Sequence, residues 1–144
     1  MARFTTTIRS PWSAEQAFDY MADFRNFEDW DPGVSASSLV AGDEPGPGAA
    51  YSVKVTGTTL RYETREFDRP RRTVVEAISP RLRSYDIVEV HPRDDGCDVT
   101  YDATLELNGF LKKIADPIMG IVFRRIGNKA AAGMAEKLEG QRIV

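Results

Sequence analysis

The 144-residue sequence predicts an α+β domain: a curved antiparallel sheet of about seven strands around one long C-terminal helix, with two short helices after the first strand. Three observations carry that prediction. Residues 34–107 alternate polar and apolar side chains with a period of two, interrupted by Gly- and Pro-bearing turns. After Gly109 the apolar residues recur every three or four positions instead. Two short helical patterns lie between the opening strand and the first sheet segment.

The opening strand is Phe4-Thr5-Thr6-Thr7-Ile8, β-branched and ended by Ser10-Pro11. Ser13 and Gln16 form a capping box ahead of Ala17, Phe18 and Met21, so a helix runs to about Met21. Phe24, Phe27 and Trp30 are spaced three apart on a second, shorter helix, which Asp31-Pro32-Gly33 stops. Breaks at Gly42–Gly48, around Gly57-Thr58-Thr59, at Asp68-Arg69-Pro70, at Ser79-Pro80 and at Pro92–Gly96 delimit six strand segments. In the last of them Cys97, Val99, Tyr101, Ala103, Leu105 and Leu107 alternate strictly with polar residues, which predicts one dry face and one wet face. Tyr51, Val53 and Val55 alternate in the same way, with Leu60 and Tyr62 continuing that inner face on the next strand. Segments 73–78 and 82–91 mix polar and apolar residues in both alternations, so their inward faces stay open at this level. Short loops between successive segments imply a meander. From Phe110 to Lys137 the stripe Leu111, Ile114, Ile118, Val122, Ile126, Ala130, Met134 and Leu138 predicts a helix on the order of 40 Å long at 1.5 Å per residue. Asp116-Pro117 predicts a kink or a restart within it.

The whole chain has the length of a single domain. With 42% hydrophobic and 28% charged residues it has the composition of a folded core under a solvated surface. A net charge of −3 argues against phosphate-backbone binding, and nucleic acid is not an expected partner. The single cysteine, Cys97, excludes an internal disulfide, and the single histidine, His91, excludes a zinc site of several His and Cys ligands. No apolar run approaches the roughly 20 residues that span a bilayer, and the N-terminus lacks a secretory apolar stretch, so integral membrane association is not expected and the expected location is the cytoplasm. The Gly42–Gly48 tract has the composition of an exposed hairpin loop, since an acidic metal loop needs more regularly spaced oxygen ligands than Asp43 and Glu44 offer. No phosphate-cradling glycine loop, nucleophile elbow or paired-cysteine motif occurs, and no cofactor is expected.

The order of elements, with Ala17-Phe18-Asp19-Tyr20-Met21-Ala22-Asp23, Phe27-Glu28-Asp29-Trp30-Asp31-Pro32, Gly96-Cys97-Asp98-Val99-Thr100-Tyr101 and Gly109-Phe110 leading to Asp116-Pro117, resembles the polyketide cyclase/dehydrase and lipid-transport family of the START-like, Bet v 1-like superfamily. The resemblance covers essentially the whole chain. It implies a helix-grip fold with a cavity between sheet and helix for a hydrophobic or amphipathic small molecule, and it implies no single reaction.

On that reading the cavity wall comprises Tyr51, Val53, Tyr62, Tyr101, Ala103 and Leu105 from the sheet and Ile114, Ile118 and Val122 from the helix, with Trp30 at the mouth. The plain alternative for each aromatic is core packing. Among Arg61, Glu63, Arg65 and Glu66, one charge turned inward would hint at acid/base chemistry, whereas outward cross-strand pairs are the commoner outcome. His91, beside Pro92, is expected to be solvated. Arg69, Arg71, Arg72, Arg81 and Arg83, with Arg124-Arg125 on the helix, read as a solvated rim interspersed with acidic residues such as Asp68, Glu76 and Asp86. The leading expectation is binding of a lipid- or polyketide-like molecule without catalysis. The alternatives are a polyketide cyclase/dehydratase and a regulatory module with a protein partner or a second copy.

Overall fold

The computed structural model describes every residue except Thr56 and Gly109, and every side chain except those two, residues 110–117 and Met119. Its strands are β1 (Ala2–Ser10), β2 (Val34–Ala41), β3 (Ala50–Val55), β4 (Thr58–Asp68), β5 (Arg72–Ile78), β6 (Leu82–Arg93), β7 (Gly96–Leu107) and β8 (Gln141–Arg142). Helix α1 (Ala14–Met21) is followed by a 3-10 turn (Phe24–Asn26), α2 (Phe27–Trp30) and the 28-residue α3 (Phe110–Lys137). The strands form one antiparallel sheet in the order β2-β3-β4-β5-β6-β7-β1-β8. The expected meander is therefore β2 to β7, with β1 returning beside β7. The sheet has eight strands where the sequence implied about seven. β8 is two residues long, too short to carry an alternation.

Local signals account for the element ends. The Ser13 hydroxyl accepts from the Gln16 amide at 3.1 Å, capping α1, and the Asp23 carboxylate accepts from the Arg25 amide at 3.1 Å, capping the 3-10 turn. Phe24, Phe27 and Trp30 all point inward, so the second short helix divides into two single turns without losing its buried face. α3 continues through Asp116-Pro117 as one helix rather than restarting there.

Cross-strand register settles which side of each strand is dry. Tyr51 pairs with Tyr62, Tyr62 with Ala77, Ala77 with Ser84 and Ser84 with Leu105, one row across the sheet. The next rows are Val75-Asp86-Ala103-Phe4 and Thr73-Val88-Tyr101-Thr6. Thr73, Val75 and Ala77 on β5 and Ser84, Asp86, Val88 and Val90 on β6 thus face the core. The outer face carries ion pairs, including Arg3–Asp102, Arg9–Asp98 and Arg65–Glu76.

Among the described side chains of α3, those toward its C-terminal end pack as the sequence implied. Gly127, Ala130, Ala131, Met134 and Leu138 are buried, whereas Ile118 is 63% exposed, Val122 44% and Ile126 43%. The strict four-residue spacing of the predicted stripe explains the difference. At 3.6 residues per turn each such step advances about 40° around the axis. The stripe therefore winds away from the sheet going back from Leu138, and Ile118 ends up roughly opposite Gly127. Close approach fixes the buried half: a Cβ at Gly127 would collide with the Phe4 ring, and one at Gly133 with the Trp30 carbonyl oxygen. The Ser10 hydroxyl donates to the Leu138 carbonyl at 2.6 Å, tying the helix end to β1.

Candidate functional site

Four polar side chains meet on the inner face of β4, β6 and β7. The Tyr101 hydroxyl donates to Asp86 Oδ2 at 2.7 Å, and the Ser84 hydroxyl donates to Asp86 Oδ1 at 3.3 Å. The Tyr62 hydroxyl donates to Ser84 Oγ at 2.8 Å. Proton donors thus run in a chain from Tyr62 through Ser84 to Asp86, which Tyr101 meets from the other side. All four are buried, Asp86 at 2% exposure, among Val75, Ala77, Val88 and Ala103. Period-two geometry produces the arrangement, because Ser84 and Asp86 are two apart on β6 and share its inward face.

The dry surroundings dominate the electrostatics. Burial pushes the Asp86 carboxyl up to about 7, and the nearby Asp31 charge pushes the same way, against the Tyr101 and Ser84 hydrogen bonds. Burial also raises Asp31, to about 6, against a 2.9 Å hydrogen bond from the Gly33 amide. The Tyr62 and Tyr101 phenols are raised well above their ordinary range, chiefly by burial, and stay protonated as donors. Trp30 Nε1–H is buried without a hydrogen-bond partner among the described residues. An acid near neutrality between two permanent donors can hold a carbonyl or hydroxyl, or exchange a proton with it.

The structure places the predicted site residues differently from one another. Tyr62 and Tyr101 belong to the polar chain, and Ala103 and Leu105 pair across β6–β7 with Asp86 and Ser84. Tyr51 and Val53 are buried further along the sheet, Tyr51 edge-on to Phe24 at 5.8 Å between ring centres. Trp30 lies in the core rather than at a mouth. It is 1% exposed, 4.8 Å from the Phe27 ring and 5.0 Å from the Tyr101 ring, because the spacing that aligns it with Phe27 turns it inward. Ile118 and Val122 lie on exposed helix surface, and the Ile114 side chain lies outside the described residues.

Other expectations resolve more simply. Arg61, Glu63, Arg65 and Glu66 all face solvent as ion pairs, among them Arg65–Glu63 at 2.9 Å and Arg72–Glu66 at 3.2 Å, so no β4 charge enters the core. His91 is exposed, 3.7 Å from Glu89. Among the described residues no three His, Cys, Asp or Glu side chains converge as a metal site, and no helix is long and apolar enough to cross a membrane.

Sequence reasoning missed Asp86, counting it among the rim acids. The available signal was the phase of β6: Ser84 and Asp86 are in step with Val88 and Val90, while Arg83 and Glu89 occupy the other phase.

Comparison with known proteins agrees with this architecture. The family model described as polyketide cyclase / dehydrase and lipid transport matches residues 1–139. A solution structure from Thermobifida fusca is 26% identical with a TM-score of 0.64, covering 98% of this chain and 97% of that one. A START superfamily protein from Mycobacterium smegmatis superposes with a TM-score of 0.70 at 13% identity, over 96% of this chain and 98% of its own. The di-domain ARO/CYC StfQ of the steffimycin biosynthetic pathway gives 0.71 at 12% identity, over 96% of this chain and 51% of that longer protein. No curated protein matches the sequence significantly.

Proposed function

Because the chain belongs to the polyketide cyclase / dehydrase and lipid transport family, we propose that it binds a hydrophobic or amphipathic small molecule between the sheet's inner face and α3, with Asp86 and Tyr101 holding the ligand's polar group. The observation that carries this reading is a carboxyl buried without a cation among the described residues and joined to a chain of hydroxyls. Such a group costs stability that an apolar residue of similar size would not, which supports a role in recognition or chemistry. Ala103 and Leu105 supply apolar wall beside it, and Tyr62, Ser84 and Tyr101 fix its orientation. Tyr51, Val53 and Trp30 support the wall from behind.

Cyclisation or dehydration of a polyketide-like substrate is the second reading, favoured by the elevation of Asp86 to about 7, which suits it to deliver and accept protons near neutrality. Native mass spectrometry of the protein purified from its own host, compared with the denatured mass, tests the first reading. A retained small molecule that Asp86→Asn no longer retains supports it. Retention unchanged in that variant removes Asp86 from the site. Turnover of a candidate polyketide that Asp86→Asn abolishes, with binding kept, favours the enzyme.

A further inference from the structure

We propose that the outward face of α3, centred on Ile118, Ile121, Val122, Arg125 and Lys129, docks onto an anionic lipid surface. This inference stands apart from the ligand reading, since none of these residues contributes to the Asp86 chain.

Three observations meet on this face. Ile118 and Ile121 are 63% and 68% exposed, and Val122 is nearly half exposed, an unusual concentration of bare branched aliphatics within five residues. At 100° per residue Ile118, Val122, Arg125 and Lys129 fall within about 60° of one another around the helix, and Ile121 flanks them. Apolar and cationic side chains therefore share one stripe. A shallow groove of about 430 Å³ runs along it, lined by Ile121, Arg124, Arg125, Asn128, Lys129 and Ala132.

Among the described residues the cations on this stripe are unmatched. Arg3, Arg9, Arg25, Arg69, Arg71, Arg72 and Arg83 each hold a carboxylate. Arg124, Arg125 and Lys129 have no ion pair or hydrogen bond among the described residues. Phe110–Lys137 carries six Lys and Arg against two Asp and Glu, a net +4, on a chain whose total is −3. The remainder is at −7, so positive charge is segregated onto the element that also bares Ile118 and Ile121.

An anionic bilayer surface satisfies both halves of this pattern, taking the aliphatics into the acyl boundary and setting phosphates against the cations. A second copy placed face to face would oppose like charges. A nucleic acid would leave the isoleucines without a partner.

Co-sedimentation of the full chain with vesicles tests the proposal, using phosphatidylcholine alone and phosphatidylcholine with an equal amount of phosphatidylglycerol. Binding is expected to the mixed vesicles only and to weaken with added salt. Arg125→Ala with Lys129→Ala should weaken it roughly 30-fold, from about 1 kcal/mol per cation. Ile121→Ser should weaken it roughly tenfold through lost apolar burial. Thermal melts of these exposed-site variants verify that they are folded. Equal binding to both vesicles, or none to the mixed ones, overturns the proposal. So does a dimer in light scattering that Ile121→Ser dissociates, which would assign the face to a second copy.

Discussion

Tyr101 and Asp86 sit on adjacent strands, β7 and β6, and share a 2.7 Å hydrogen bond inside the core that leaves the phenol permanently a donor. One proton on Asp86 then decides whether the carboxyl offers an acceptor or a donor to whatever approaches it.

Stability should fall as pH rises through this group's range. Asp86 is held at about 7 in the folded state, above its ordinary unfolded value near 4, so its contribution is full below about pH 4 and lost as pH climbs toward 7. Asp31, at about 6, acts in the same direction over a narrower range. Asp19 and Asp98, held low by arginines, act in the opposite sense below about pH 4. The Asp86 contribution is on the order of 4 kcal/mol across its window. Denaturant titrations at pH 5 and pH 8 should show the wild type more stable at pH 5, with most of that slope absent in Asp86→Asn. An equal slope in the variant would place the proton elsewhere.

Tyr101→Phe removes a donor and leaves a buried carboxyl oxygen without it. A loss of about 1–3 kcal/mol is expected at pH 8 and a smaller loss at pH 5, where the carboxyl is protonated. Because the phenol's hydrogen bond lowers the Asp86 value, the pH midpoint of the variant should move upward. A midpoint that moved downward would contradict this account.

Two glycines of α3 should respond oppositely to alanine. At Gly120 a Cβ meets no described atom within 4 Å, so Gly120→Ala should stabilise by about 1 kcal/mol through helix propensity. At Gly133 a Cβ would strike the backbone oxygen of Trp30, so Gly133→Ala should destabilise strongly and loosen α2 from α3. Thermal melts of the pair read both signs.

Buried and exposed positions of the same helix should differ in the same manner. Met134→Ala should cost about 2–5 kcal/mol, whereas Ile118→Ser should change stability by no more than about 0.5 kcal/mol. An equally large loss at Ile118 would mean that this face is packed.

The fold was legible because its signals are local and redundant. Ser13 and Gln16 marked α1, the strict alternation of Cys97 to Leu107 marked β7, and the change of period after Gly109 marked α3. Facing directions were less legible because they depend on partners. On β6 the inward phase holds Ser84 and Asp86, which read as surface until register places them beside Ala77, Val75 and Ala103. On α3 a four-residue repeat mimicked one face while winding around the helix. The turn after Trp30 points to a mouth position, whereas its burial follows from contacts with Phe27, Tyr101 and Gly133 that are distant in sequence or set by packing.

The small strand β8 bears on how the molecule behaves in a crowded solution. Its pairing with Ile8 and Arg9, together with the Ile143 amide donating to the Thr7 carbonyl, occupies backbone groups along one border of the sheet. The opposite border, β2, is interrupted by two register shifts. A long bare border would act as a template for further chains, and here neither border presents one. Deleting residues 141–144 should therefore increase self-association before it alters the Asp86 site.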